Sequence, residues 1–200
     1  MMQPGPAARS VLTTQKVLKA ARILRIPVYV TTQNAARLGG PVAELQKPLE
    51  DAGATVIDKT RFSMWVPELA AHFASHFDGA AASSSPSASG LGSELSPPET
   101  SVVIVGIESH ICVTQTALDL LAAGHDVYVL ADGVSSCNSQ EVPLALARLR
   151  AEGATVTTSE SWLYETMGDA AISEFKQIAG LVKESSADTK TALAALASKI

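Results

Sequence analysis

Residues 101–124 change hydrophobic period halfway along, and this restricts the folds open to the chain. Ser101, Val102, Val103, Ile104 and Val105 form a short run of mostly β-branched apolar residues, the pattern of a strand buried on both faces. Gly106 opens a turn that continues to Ser109. From His110 or Ile111 onward, Val113, Ala117, Leu120 and Leu121 fall on one helical stripe, and Gly124 supplies a stop. Cys112 lies in the first turn of that helix, where free N–H groups and the positive end of the helix dipole favour a thiolate. A free cysteine can equally be a small buried hydrophobe. This stretch alone leaves both readings open.

The same alternation runs through the rest of the chain. Val11, Leu12, Val17, Leu18, Ala21 and Leu24, with basic residues between them, make an amphipathic helix that Pro27 ends, and residues 1–10 read as a frayed start. Strands are expected at 28–32, 54–59, 127–131 and 155–158, and helices at 42–49, 67–76 and 141–152. Residues 34–40 and 133–140 read as loops, and 159–164 as the lead into a turn. Asp169 is placed to cap a helix running to about 183. Strands alternating with helices predict an α/β domain with a parallel sheet covered on both faces. The domain is expected over residues 1–184, with 185–200 a tail that forms one loose helix. Residues 79–99, rich in Ser, Ala, Gly and Pro, cannot pack a core and read as a low-complexity surface insertion.

Composition narrows the class. Two hundred residues, 46% of them hydrophobic but few aromatic, must build their interior from Ala, Val, Leu and Ile. A net charge of −5 argues against a general nucleic-acid binder. No apolar run approaches the ~18 residues that span a bilayer, so no membrane association is expected. Cys112 and Cys137 suggest no disulfide framework, and a cytoplasmic, reducing compartment is the default. No Asp or Glu precedes Glu44, whereas Arg9, Lys16, Lys19, Arg22, Arg25 and Arg37 do. A basic, acid-free start is also the mark of a mitochondrial transit peptide, but this one runs directly into a strand, which favours an ordinary first helix.

Ligands of parallel α/β sheets bind beyond the C-terminal ends of the strands. Gln33, Lys59, residues 106–112 and residues 132–138 should therefore converge on one edge. Lys59 would then stand near the Cys112 thiol and favour its ionised form, although a strand-end lysine is more commonly just solvated.

The run Gly106, Ile107, Glu108, Ser109, His110, Ile111, Cys112, Val113, followed by Thr116 and Ala117, resembles the nucleophile motif of the isochorismatase-like cysteine hydrolases. Residues 59–64 resemble the catalytic-lysine segment of the same family. Residues 31–33, 37–39, 131–136 and 158–160 resemble its eukaryotic isochorismatase domain-containing branch. The resemblance covers about residues 11–183 apart from the insertion. It implies a Rossmann-like three-layer αβα fold with a parallel sheet, and a triad of Asp, Lys and Cys. Carried across, Cys112 is the nucleophile and Lys59 the triad lysine. The backbone N–H groups of Glu108 and Cys112 form the oxyanion hole, and a cis peptide joins Ile107 to Glu108. Gln33, Trp65 and Ile107 are the expected substrate contacts. A homo-oligomer and a small-molecule substrate are implied as well, with no cofactor.

The chain departs from the family in one place. The triad aspartate belongs at the end of a first, central strand, and this sequence begins at the helix that should follow it. The missing strand belongs between 28–32 and 101–105. Its absence would leave two unpaired edges inside the sheet, unless those strands approach each other directly or the chain is an incomplete gene product. His110, Glu108, Asp58 and Asp132 are the remaining acid/base candidates, and the two aspartates are better placed to cap loops. Residues 31–37 contain no histidine where metal-dependent nicotinamidases carry their ligands, so no zinc or iron site is expected and nicotinamide is a poor substrate guess. Cys112 argues against the vinyl-ether-cleaving isochorismatases proper. The expected function is hydrolysis of a small amide-, ester- or nitrile-like substrate through Cys112, by an enzyme lacking its general acid/base. The alternative is a non-catalytic member, a pseudoenzyme that acts through protein association.

Overall fold

The computed structural model describes residues 6–81 and 100–197. In chain order it contains α1 (Pro6–Leu24), β1 (Tyr29–Gln33), α2 (Ala35–Leu38), α3 (Ala43–Asp51), β2 (Thr55–Lys59), α4 (Pro67–Ala81), β3 (Ser101–Ile107), a π-helical turn (Ser109–Val113), α5 (Thr114–Ala122), β4 (Asp126–Ser135), α6 (Glu141–Ala151), β5 (Thr155–Thr157), α7 (Ser159–Met167), α8 (Phe175–Glu184) and α9 (Ser186–Ala197). The insertion expected at 79–99 lies, from residue 82 on, outside the described residues.

The strands are parallel but do not form one sheet. β1 pairs with β2, and β3, β4 and β5 pair in that order. Among the described residues, no strand joins the two sheets. A direct approach of the strands flanking the missing one is therefore not what the chain does: β1 and β3 stay unpaired with each other, each keeping its ladder on one side only. Tyr29 to Gln33 face Thr55 to Lys59 in unbroken register. In the larger sheet Ser101 faces Asp126 and Ile104 faces Val129, and then the register jumps so that Gly106 faces Val134. Extra β4 residues are accommodated there because Gly133 has no side chain. A Cβ at Gly133 would stand 2.7 Å from Val105 Cγ1.

Alternation along β3 and β4 builds three layers. Val102, Ile104, Val127, Val129 and Ala131 face one side, where they pack against Ala117 and Leu120 of α5 and Val142, Leu146 and Leu149 of α6. Val103, Val105, Tyr128 and Leu130 face the other, against Val17 and Ala20 of α1, Trp162 and Leu163 of α7, and Ile178 and Leu181 of α8. Period-two strands between period-3.6 helices are what the β-branched composition dictates. The smaller sheet has a much smaller core of its own, with Ile57, Leu69 and Phe73 buried. Val102 and Trp65 pack against both this cluster and the larger one.

Several boundaries differ from expectation. α1 starts at Pro6 rather than 11, and β4 runs on into the expected loop as far as Ser135. Residues 159–167 are helix, because Thr158 caps it, its side chain accepting from Ser161 N–H, while Trp162, Leu163 and Met167 are buried. Asp169 accepts from Ala171 N–H at 2.8 Å in a turn, and the helix it was expected to cap begins later, at Phe175. The tail is not loose: α9 buries Thr189 and Ala192, and the Thr189 hydroxyl accepts from the buried Lys16 of α1 at 2.8 Å.

Candidate active site

β3 delivers the nucleophile turn. Gly106 has φ +126°, a region that favours glycine, and the Ile107–Glu108 peptide is cis, as the family resemblance implies. The chain then enters the π-helical turn in which the Ile111 and Val113 N–H groups both donate to the Glu108 carbonyl at 3.1 Å. Ser109, fully buried, anchors the turn from below. Its N–H donates to Ser136 Oγ at 3.1 Å, its hydroxyl bonds the Ser136 hydroxyl, and its carbonyl accepts from Thr114 Oγ1 at 2.7 Å. Cys112 is half-buried above this anchor and Ile107 is 60% exposed.

Lys59 ends β2 and is buried. Its ammonium donates to Gln33 Oε1 at 2.7 Å and to the carbonyls of Arg61 and Phe62 at 2.8 and 3.0 Å. All three acceptors are neutral. Burial pushes the Lys59 pKa down, and the charges of Cys112 and then Asp58 pull it back up. Lys59 and Cys112 are therefore within electrostatic reach although they rise from different sheets. Gln33 ties Lys59 to the loop after β2, since its amide also donates to the Thr60 carbonyl at 2.8 Å.

Thr116, which no motif singled out for a role, holds the two halves together. It is buried in α5, its hydroxyl donates to the Cys112 carbonyl at 2.6 Å, and it accepts from the Met64 N–H at 2.8 Å. One side chain thus links the Lys59 loop to the Cys112 helix, with Arg61 and Asp119 adding an exposed ion pair at 3.6 Å. Replacing Thr116 by Val keeps the shape but strands the Met64 N–H. A loss of about 1–3 kcal/mol in urea unfolding is expected, largely recovered by Thr116→Ser.

The acid/base candidates are otherwise engaged. Asp58 accepts from Thr32 Oγ1 at 2.7 Å and the Ala35 N–H at 2.9 Å, and these bonds hold its carboxyl below the usual range. Asp132, buried, accepts from the Ser159 N–H at 2.8 Å and from its hydroxyl. Both aspartates cap loops, as expected. Glu108 accepts from the Cys137 N–H at 2.6 Å, and His110 Nδ1 lies 3.0 Å from Ser136 Oγ. Trp65 sits in an aromatic cluster, edge-on to Phe73 and His125 with ring centres 5.3 and 5.1 Å away.

A family model described as the Isochorismatase domain matches residues 2–161. A secreted isochorismatase effector, Isc1, of Phytophthora sojae is 42% identical over 172 residues, covering 86% of this chain and 73% of the relative. Isochorismatase domain-containing protein 1 of Salmo salar is 38% identical over 175 residues, covering 88% of this chain. The chain spans about half, 54%, of that relative's length. Among solved structures, the MAR1 ribonuclease of Caenorhabditis elegans superposes with a TM-score of 0.72 at 31% identity, covering 88% of this chain and 79% of that one. The octameric YcaC hydrolase of Escherichia coli, at 20% identity and a TM-score of 0.69, shares the fold. The chain belongs to the isochorismatase family.

Proposed function

We propose that the chain is a cysteine hydrolase of the isochorismatase family that acts through Cys112 and Lys59 and turns over slowly. The observation that supports this reading is the tie Thr116 makes between the loop after Lys59 and the Cys112 turn, accepting from the Met64 N–H and donating to the Cys112 carbonyl. In the proposed reaction the Cys112 thiolate adds to the carbonyl carbon of a small ester or amide; at a nitrile carbon it gives instead a thioimidate, protonated at nitrogen by water, which water hydrolyses to the thioester with release of ammonia. The C–S bond forms as the C=O π electrons move to oxygen, and the Glu108 and Cys112 N–H groups receive that oxyanion. Its collapse expels the alkoxide, which then takes a proton from water, or the amine, whose nitrogen takes a proton from water as the C–N bond breaks. Water then hydrolyses the thioester, releasing the acid and restoring the thiolate. Lys59 favours the anionic steps electrostatically. Gln33 holds Lys59, and Gln33, Ile107 and Trp65 are the proposed substrate contacts.

Among the described residues Asp58 and Asp132 are held at the starts of α2 and α7, Glu108 is bonded to the Cys137 amide and His110 to Ser136, so both proton transfers are assigned to solvent. An acyl-enzyme that forms slowly and is hydrolysed still more slowly is the expected behaviour. Intact-mass and peptide mass spectrometry after exposure to small activated esters, amides and nitriles tests it. An adduct on Cys112, lost in Cys112→Ser, is expected, and labelling confined to Cys137 would refute it.

A second reading, a non-catalytic protein acting through association, is favoured by the unpaired inner edges of β1 and β3. An octameric structural neighbour supports a homo-oligomer under either reading. Another neighbour is named a ribonuclease, but a net charge of −5 supports a small molecule rather than nucleic acid as the substrate here. No helix among the described residues is long and apolar enough to cross a membrane. Two free cysteines support a reducing compartment, with the cytoplasm as the proposed location.

A further inference from the structure

We propose that Glu108, His110 and Cys137 form a zinc site at the C-terminal ends of β3 and β4, separate from the Cys112 nucleophile. The carboxylate, imidazole and thiol come from two loops far apart in sequence, yet their ligand atoms all lie within 4.8 Å of one another. His110 Nδ1 is 4.0 Å from Glu108 Oε2. Tetrahedral zinc with bonds of about 2.0–2.3 Å places neighbouring ligand atoms roughly 3.5 Å apart, so closure by about 1 Å completes the site. Cys137 is exposed and free to rotate, and it can supply that movement.

The scaffold is already fixed. Glu108 Oε2 accepts the Cys137 N–H at 2.6 Å, locking the nucleophile turn to the loop after β4. Ser136, buried, bonds His110 Nδ1 at 3.0 Å and receives the Ser109 N–H at 3.1 Å, so it fixes the imidazole beside Glu108. A hydrogen-bonded imidazole beside a thiol and a carboxylate is a borderline-soft set that suits Zn²⁺ over Mg²⁺ or Ca²⁺. Three protein ligands leave a fourth position for water. Bound there, the ion would clamp the Cys112 turn to the β4–α6 loop. This proposal departs from the expectation of no metal, which was argued from residues 31–37, because only the fold assembles this cluster.

The test uses the full chain, stripped with chelator and titrated with Zn²⁺ against a competing dye, and separately with Co²⁺ under anaerobic conditions. One ion per chain with a dissociation constant below about 1 µM is expected, and Co²⁺ should give tetrahedral d–d bands with thiolate-to-metal charge transfer. Cys137→Ser should abolish the charge-transfer band and weaken Zn²⁺ binding by at least about 100-fold, and Glu108→Gln or His110→Gln by roughly 10–100-fold. Cys112→Ser should leave the spectrum and the affinity unchanged, which separates this site from the proposed hydrolase chemistry. Circular dichroism of each variant reports whether it remains folded. Failure of the folded wild-type chain to bind, or a charge-transfer band that survives Cys137→Ser and is lost in Cys112→Ser, would overturn the proposal.

Discussion

Amide hydrogens of β1 and β2 are expected to exchange at least about 100-fold faster than those of β3 and β4 under native conditions. The cause is the divided sheet. A two-stranded sheet is marginal by itself, and β1–β2 rests on a cluster of only Ile57, Leu69 and Phe73, with Val102 and Trp65 reaching across. The three-stranded sheet lies between two large clusters drawn from α1, α5, α6, α7 and α8. Opening β1–β2 therefore exposes little apolar surface, and the Met64–Thr116 hydrogen bond is one of the few polar ties it must break. Exchange followed by mass spectrometry on peptides spanning 29–33, 55–59, 101–107 and 126–135 reads this directly. Equal protection of the two sheets would mean that they unfold as one unit, and that side-chain packing replaces the absent ladder.

The second large effect is expected at Lys59. Substitution by Met removes an ammonium that satisfies Gln33 Oε1 and the carbonyls of Arg61 and Phe62. Hydrogen bonds from a charged donor contribute about 1.5–3 kcal/mol each, partly offset here because the buried charge is desolvated. A net loss of about 2–4 kcal/mol is expected, measured by urea unfolding near neutral pH. The pH dependence has a definite sign. Burial holds the folded-state pKa of Lys59 below its ordinary 10.5. Between those two values the unfolded chain binds a proton that the folded chain has released, so folding stability contributed by Lys59 rises with pH across that window. The stability difference between wild type and Lys59→Met should accordingly widen as pH climbs toward 10.5. A difference that is flat or shrinking would show that the ammonium carries no desolvation burden.

Much of this architecture is legible in the residues, and what is not has identifiable causes. The apolar β-branched run at 101–105 and the helical stripe after it predict β3 and α5, because period alone separates them. A break between the strands at 28–32 and 101–105 is legible too, and among the described residues β1 and β3 lie in separate sheets. Thr116 and Ser136 were not legible as structural ties. Thr116 meets a partner 52 residues away and Ser136 one 27 residues away, and nothing local marks a hydroxyl for such a role. α7 was missed although Thr158, Trp162 and Leu163 offered a cap followed by an apolar face. α9 was underrated because its alanines bury little area each, while its docking depends on Thr189 reaching a buried lysine 173 residues away. The Glu108–His110–Cys137 cluster depends on β3 and β4 ending side by side, which spacing along the chain does not reveal.

The central claim is that Lys59 and Cys112 act as one site across the divided sheet. The rate of Cys112 alkylation by iodoacetamide at neutral pH, read by peptide mass spectrometry in wild type and Lys59→Met, tests it most directly, with the exposed Cys137 as the internal standard. Loss of the neighbouring cation should slow Cys112 and leave Cys137 unchanged, since the thiolate is the species that is alkylated. An unchanged Cys112 rate in the folded variant would contradict the account.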